Sequence, residues 1–216
     1  MKELTNKEKI IKLISGINNG QSMQNIFFDW VTIMAMCILN QLDMKHGKTW
    51  QQREDTYKNI VKRYTNEELN VFGKAMLYLD EELSNDPYDI LGEIYHKLDA
   101  QNKRTGQFFT PFHISLMMAQ LQEFKDEETI MNERSCGAGG MILAVAKVMQ
   151  ERGINYRKNL KVIAQDVDWN CVYMTYVQLS LAGIKAIVYQ GNSLTAEKHS
   201  EIQTLYTPAQ SWHFYI

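Results

Sequence analysis

The main evidence for the fold of this 216-residue chain is the stretch ETIMNERSCGAGGMILAVAKVMQERG, residues 128–153. It begins with a short β-type segment, passes through a turn that holds Gly137, Gly139 and Gly140, and continues as a helical pattern that ends at Gly153. Such a turn lets a ligand approach the backbone and directs the N-terminus of a helix towards it. Glycines that only ease a tight turn would produce the same pattern, so both interpretations stay open.

The same alternation continues downstream of this stretch. Residues 160–164 and 184–189 are two further strand patterns, and between them residues 169–181 follow a helical pattern that Gly183 ends. Strands that alternate with helices over short connections predict an α/β fold with a parallel sheet and right-handed crossovers. Residues 195–216 contain only one weak helical pattern.

Polar residues follow the second and third predicted strands. Asp166 is placed to accept hydrogen bonds from two ribose hydroxyls, and Asp168 is placed to cap the following helix, although either aspartate alone fits a cap. Asn192, after the third strand, fits the recognition of an adenine edge and fits a turn asparagine equally well. Three strand ends that meet at one site favour a nucleoside-containing cofactor.

The region before residue 86 is helical throughout in its pattern. Ser22 and Thr49 are candidate N-caps, and Thr65 with Glu68 forms a candidate capping box. We therefore predict a helical region over residues 1–85 and an α/β core over residues 86–216. The apolar stretch 26–39 is shorter than the roughly 20 residues that a bilayer requires, which predicts a buried helix and no membrane association.

Composition restricts the class of protein. The formal net charge is −2, so a chain that binds nucleic acid tightly by itself is disfavoured, whereas a subunit that shares this task with partners is not. The three cysteines have neither disulfide nor zinc spacing, and the scattered histidines form no metal-binding pair. A cytoplasmic protein without a bound metal is the expectation.

An aromatic segment interrupts the polar connector upstream of the first strand. Residues 106–111 read Gly-Gln-Phe-Phe-Thr-Pro, and bulky aromatics between a glycine and a proline are poorly suited to a solvated loop. We interpret this segment as a fixed lip over a flat ligand, and we call residues 106–111 the aromatic lip.

The combination of DILGEIYHKL (89–98), GQFFTPFHISLMMAQL (106–121) and the Cys-Gly-Ala-Gly-Gly turn resembles the adenine-N6 DNA methyltransferases, in particular the modification subunits of type I restriction-modification systems. The resemblance covers about residues 86–194 and implies a partial Rossmann-like methyltransferase domain, S-adenosylmethionine as cofactor and DNA as substrate. The positions that it implies as cofactor contacts are Gln107, Phe108, Phe109, Thr110, Pro111, Glu133, Gly137, Ala138, Gly139, Gly140, Asp166 and Asn192.

The chain departs from that family's pattern at several positions. Glu133 stands where the family usually has an aspartate, Arg134 replaces a proline, and Asn192 stands where an aspartate is common. The Asn/Asp-Pro-Pro-aromatic tetrapeptide, which grips the target adenine in the family, is absent because no two of the three prolines are adjacent. The catalytic residues are therefore not assigned from the sequence.

Three functional hypotheses follow. The first is a DNA adenine-N6 methyltransferase or one subunit of such an enzyme. The second is an inactive module that binds S-adenosylmethionine or protein partners, and the third is a fragment of a longer methyltransferase. Because the predicted sheet is incomplete, its first strand is expected to be an open edge that a protein partner or a second copy covers.

Overall fold

The computed structural model describes residues 4–44, 46–99 and 109–204. Its N-terminal part is helical, as the sequence predicts, and the strands and helices of its second part alternate. The elements are α1 (Asn6–Ser15), α2 (Met23–Leu42), α3 (Lys48–Val61), α4 (Asn66–Asn85), α5 (Ile90–Asp99), α6 (Phe112–Gln120), β1 (Thr129–Glu133), α7 (Gly140–Glu151), α8 (Tyr156–Asn159), β2 (Leu160–Asp166), α9 (Trp169–Ala182), β3 (Lys185–Gln190) and β4 (Ser200–Gln203).

Most of the predicted helix caps are confirmed. The Ser22 hydroxyl accepts a hydrogen bond from the backbone of Asn25, and Thr65 with Glu68 forms the predicted capping box at the start of α4. The prediction for Thr49 is wrong, since α3 starts at Lys48 after Gly47. The carbonyl of Gly47 accepts the first helical hydrogen bond, from Gln51 at 3.0 Å, so the backbone alone begins this helix.

Helix α2 extends on both sides of the apolar stretch 26–39 and, at 20 residues, is long and apolar enough to cross a membrane. Its side chains are nevertheless used inside the protein. Phe27 and Trp30 are fully buried, and the Trp30 indole donates a hydrogen bond of 3.1 Å to the carbonyl of Phe72. Asp29 accepts hydrogen bonds from Arg63 at 3.0 Å and Tyr64 at 2.7 Å. The helix belongs to the core, as the sequence predicts.

The sheet has the order β1-β2-β3-β4, and its first three strands are parallel. The weak helical pattern predicted beyond residue 195 is wrong for Ser200–Gln203, which form β4 antiparallel to β3. This pairing satisfies backbone groups at the second edge of β3. Thr204 extends it, because its hydroxyl accepts a hydrogen bond from Ala186 N at 3.0 Å and donates one to Ile184 O at 2.8 Å.

The two faces of the sheet differ. Val162, Ala164 and Val188 are fully buried in one hydrophobic core with the helices. Because side chains alternate along a strand, the register places Ile130, Ile163 and Ile187 on the opposite face. Strand β1 lies at the edge of the described sheet, and Ile130 on it is 57% exposed. The predicted open edge at the first strand is therefore present in the described part of the chain.

Helix α9 connects the two parts of the molecule. It packs against α2, α4 and α5 on the helical side and against β2 and β3 on the sheet side. Because buried residues of all these elements form one core, the glycine turn and the N-terminal helices rest on the same support.

Candidate functional site

The glycine turn joins β1 to α7 and is tied to the neighbouring strand by backbone hydrogen bonds. Cys136 N donates to Gln165 O at 2.9 Å, and Gly139 N donates to Cys136 O at 2.7 Å. Gly137 has φ of +53°, a left-handed conformation that side chains other than glycine rarely adopt. The turn is thus a defined structure at the carboxyl end of β1, as the sequence predicts.

Asp166, at the end of β2, binds this turn directly. Its Oδ2 atom accepts a hydrogen bond from Gly137 N at 2.9 Å, and its Oδ1 atom accepts one from Asp168 N at 3.0 Å. Each carboxylate oxygen has a further lone pair, so these bonds leave capacity for a ligand. Asp168 caps α9 by accepting a hydrogen bond from Asn170 N at 2.9 Å, which confirms the predicted cap.

Asn192 lies in the turn after β3. Its Oδ1 atom accepts a hydrogen bond from Leu194 N at 3.0 Å, which is the bond of a turn asparagine. The preceding residue, Gly191, donates from its backbone to Asp166 O at 2.9 Å, so the ends of β2 and β3 are adjacent. A role for Asn192 in binding adenine stays a prediction.

The aromatic lip lies only partly within the described residues, because Gln107 and Phe108 fall outside them. Phe109 is described, and its ring lies on the glycine turn: a Cβ atom added to Gly137 would be 2.9 Å from Phe109 Cδ1. The rings of Tyr95 and His96 on α5 also pack against Phe109, at centroid distances of 5.1 and 5.6 Å. The lip and the turn are therefore in contact.

Buried polar side chains of α9 hold the backbone of the glycine turn by hydrogen bonds. Gln178 Nε2, on α9, donates hydrogen bonds to Ala138 O at 2.7 Å and to Asp89 Oδ1 at 2.9 Å, and its Oε1 atom accepts one from Leu91 N at 3.0 Å. Thr175, on the same helix, donates to Gly137 O at 2.9 Å. Sequence reasoning missed Thr175 and Gln178, although polar residues within a largely apolar helical pattern are a usable signal.

Burial raises the pKa of two groups in this region. It raises the pKa of the Asp89 carboxyl, an effect that the hydrogen bonds from Gln178 and Gly92 partly oppose. Burial also raises the pKa of the Cys136 thiol to about 12. Cys136 is therefore a neutral thiol near pH 7 and is unsuited to act as a nucleophile, since the thiolate is the reactive form.

A cavity of about 280 Å³ opens between the lip and the turn. Six predicted site residues line it, namely Phe109, Thr110, Glu133, Gly137, Ala138 and Gly140, together with Asp89, Ser115, Ser135, Cys136 and Met141. Pro111 and Thr110 line an adjoining cavity of about 350 Å³. Gly139, Asp166 and Asn192 line neither cavity, although Asp166 is bonded to the turn.

Both signs of charge are accommodated around the smaller cavity. Gly139, with φ of +93°, is the N-cap of α7 and provides no side-chain cap, so the start of this 12-residue helix favours a negatively charged group. Glu133 and Asp89 contribute carboxyl groups to the same lining. This arrangement suits a ligand that carries an anionic and a cationic group close together.

A larger cavity lies elsewhere in the described part of the chain. It measures about 720 Å³ and is lined by parts of α2, α3, α9 and β4, including Arg53, Trp169 and Tyr173. Among the described residues, it shares no lining residue with the cavity at the glycine turn. Size alone therefore does not identify the functional site, and the polar groups at the turn carry the assignment.

Comparison with known proteins places these features in a family. Residues 86–209, more than half of the chain, match the family model "N-6 DNA Methylase". The MjaVIII type I restriction enzyme methylase subunit of Methanocaldococcus jannaschii is 28% identical over 137 residues, which are 60% of this chain and 22% of that protein. The MpnII type I restriction enzyme methylase subunit of Mycoplasma pneumoniae is 29% identical over 145 residues, which are 66% of this chain and 23% of that protein.

The chain thus spans less than a quarter of the length of these curated relatives. Among solved structures, a type I restriction-modification system methyltransferase subunit from Streptococcus thermophilus aligns over 88% of this chain and 58% of its own, with 10% identity and a TM-score of 0.46. The assignment rests on the sequence matches, and by these the chain belongs to the N-6 DNA methylase family.

Proposed function

We propose that this chain is the cofactor-binding part of an S-adenosylmethionine-dependent DNA (adenine-N6) methyltransferase of a cytoplasmic restriction-modification system. One observation carries the proposal. In a member of the N-6 DNA methylase family, Phe109 lies on Gly137 at the mouth of a polar cavity, where β1 ends and α7 begins.

The residues of the site fit the chemical groups of this cofactor. The start of α7 suits its carboxylate, and the carboxyl groups of Glu133 and Asp89 suit its ammonium group. The Asp166 carboxylate is an acceptor suited to ribose hydroxyls, and Phe109 offers an aromatic face. The bound cofactor would supply a methyl group activated by a sulfonium. The chain itself would bind, orient and shield it.

Calorimetric titration with S-adenosylmethionine tests the site. We expect Asp166→Ala to abolish measurable binding, because the variant loses the ribose acceptor and also the bond to Gly137. Asp168→Ala is the matched control: it removes a carboxylate two residues away and one helix cap, at a cost of about 1 kcal/mol in the free energy of unfolding. Unchanged affinity in Asp166→Ala contradicts the site assignment.

Methyl transfer needs a group that holds the target adenine, and the Asn/Asp-Pro-Pro-aromatic tetrapeptide is not within these 216 residues. We therefore propose that residues outside them complete the active centre. Single-turnover transfer of labelled methyl onto DNA is the measurement, with and without added partner proteins. Transfer in the presence of partners supports the methyltransferase, and no transfer in either case contradicts it.

The missing tetrapeptide also supports a second candidate, a module that binds the cofactor or protein partners without transferring the methyl group. Calorimetric binding and methyl transfer onto DNA together distinguish the two candidates. A module of this kind binds S-adenosylmethionine in the calorimeter, or only its partners, and yields no labelled DNA under any combination of added proteins.

The edge of β1 is the proposed site of a protein partner. An open edge presents unpaired backbone groups that proteins usually cover, and Ile130 is exposed beside it. We propose that a strand from another polypeptide, from a second copy or from further residues of the same protein pairs with β1. DNA binding would be shared with such partners, since the net charge of −2 provides no excess of cations for phosphates.

A further inference from the structure

Ser115 carries a buried hydroxyl that has no hydrogen-bond partner among the described residues. It lies on the inner side of α6, is fully buried, and its Oγ atom makes no hydrogen bond in the part of the chain that the structure describes. A buried hydroxyl in this state is unfavourable and calls for an explanation. Ser115 also lines the 280 Å³ cavity at the glycine turn, together with Asp89 and Met141.

We propose that Ser115 is a ligand-contacting residue that recognises the amino-acid end of the bound molecule, with its hydroxyl donating a hydrogen bond to the carboxylate of that end. This inference rests on the proposed function and deepens it. It assigns a specific contact to a residue outside the aromatic lip and outside the three strand ends.

The surroundings of the cavity favour a zwitterionic group as the occupant. Met141 belongs to the first turn of α7, where the helix dipole stabilises an anion, and Glu133 and Asp89 are placed to receive a cation. A hydroxyl can donate to a carboxylate, and a ligand that fills the cavity then supplies the acceptor that Ser115 lacks. The nucleoside of the ligand would lie beyond this cavity, towards Asp166.

The test compares two ligands that differ only at the amino-acid end. S-adenosylhomocysteine carries it, whereas 5′-methylthioadenosine has the same nucleoside and a thioether but lacks it. In the full chain, we expect Ser115→Ala to weaken the binding of S-adenosylhomocysteine by about tenfold, the value of one hydrogen bond to a charged group, and to change the binding of 5′-methylthioadenosine by less than about twofold.

The stability of the ligand-free protein distinguishes a ligand-contacting role of Ser115 from a structural one. Removing an unpartnered buried hydroxyl and placing alanine in a helix should raise the urea midpoint of the ligand-free protein, whereas removing a structural contact lowers it. Ser180→Ala is the control, because Ser180 is a buried serine on α9 that lines neither cavity at the turn. It should leave both affinities unchanged.

Three outcomes overturn the proposal. If Ser115→Ala binds S-adenosylhomocysteine as tightly as the wild type, the proposed hydrogen bond from Ser115 to the ligand does not exist. Equal weakening of both ligands indicates a distorted site and not a lost hydrogen bond. If the wild-type chain binds neither ligand, the proposed function fails together with this inference, and the result is thus distinguishable from failure of the Ser115 contact alone.

Discussion

Gln178 Nε2 lies 2.7 Å from Ala138 O and donates a hydrogen bond to it, so a side chain in the middle of α9 holds the backbone of the glycine turn. The same amide group also serves Asp89 and Leu91 on the segment that begins α5. One buried side chain thereby sets the position of the turn relative to two helices.

Gln178→Leu should lower the free energy of unfolding by roughly 3 kcal/mol, because leucine leaves several buried polar groups of the network without partners. We also expect weaker binding of S-adenosylmethionine, since Ala138 is no longer held. Urea denaturation and calorimetry measure the two effects. Gln51→Leu, at an exposed glutamine of α3 whose side chain donates to Asp55 at 2.8 Å, is the control and should change stability by less than about 0.5 kcal/mol.

Gly137→Ala should destabilise the protein for two reasons, and a second glycine separates them. Alanine is strained by roughly 1–2 kcal/mol at positive φ. At Gly137 its Cβ would also approach the Phe109 ring to 2.9 Å, whereas at Gly153, where φ is +75°, no described residue beyond the two chain neighbours comes within 4 Å of the added Cβ. Gly153→Ala therefore measures the strain alone, and Gly137→Ala should cost more in urea denaturation.

The contact itself is tested by combining Gly137→Ala with Phe109→Ala. If the ring causes the extra cost, the double variant loses less stability than the sum of the two single variants. Additive costs would show that Phe109 does not rest on the turn in solution.

Asp89 should make stability depend on pH in an unusual direction for a carboxyl group. Burial raises its pKa in the folded protein above the ordinary 3.8, so the folded state holds the proton more tightly than the unfolded state. Its contribution is complete below 3.8 and is lost as the pH rises through the folded pKa, with a slope of at most about 1.4 kcal/mol per pH unit.

Asp89→Asn cannot titrate and keeps a side-chain oxygen that can accept from Gln178. The unfolding free energy of the wild type minus that of Asp89→Asn should therefore fall as the pH rises from about 3.8 through the pKa of Asp89 in the folded protein. Guanidinium denaturation at a series of pH values measures it. A difference that rises with pH would mean that the donors of Gln178 and Gly92 outweigh burial and keep the carboxylate ionised.

The open edge of β1 predicts a contrast between two isoleucines on one face of the sheet. Ile130→Lys should change the unfolding free energy of the isolated chain by less than about 0.5 kcal/mol, since the side chain is 57% exposed. Ile187→Lys, at 4% exposure on β3, should cost more than about 2 kcal/mol. Sedimentation velocity should show less self-association for Ile130→Lys than for the wild type, and equal costs for both variants would contradict an open edge.

Local patterns were sufficient to predict the parallel strands, the caps at Ser22 and Thr65, and the turn at Gly137. Each depends on residues close together in the chain, where periodicity and capping chemistry act directly. Strand β4 was not predictable in this way, because Ser200–Gln203 have no strong strand pattern and become a strand only through pairing with β3.

The residues of the candidate site likewise fall into those that local sequence marks and those that only the folded chain brings together. The lip, the turn and Asp166 are each marked by their own residue types, so the sequence singles them out. The contacts of Gln178 with Asp89, 89 residues apart, and of Ser115 with the cavity arise only when α5, α6 and α9 come together. No local pattern encodes that approach.

Helix α9 bears on one side the core that it shares with α2 and α4, and it presents Thr175 and Gln178 to the glycine turn. The N-terminal helices and the proposed ligand site therefore both contact α9, and thermodynamic linkage makes their influence mutual. A ligand that stabilises the turn should therefore also protect α2 and α4 against local unfolding. By linkage, the free energy of this protection equals the free energy by which the folded α2 and α4 strengthen the binding of that ligand. Amide hydrogen exchange rates in α2 and α4 should therefore fall when a ligand binds at the glycine turn.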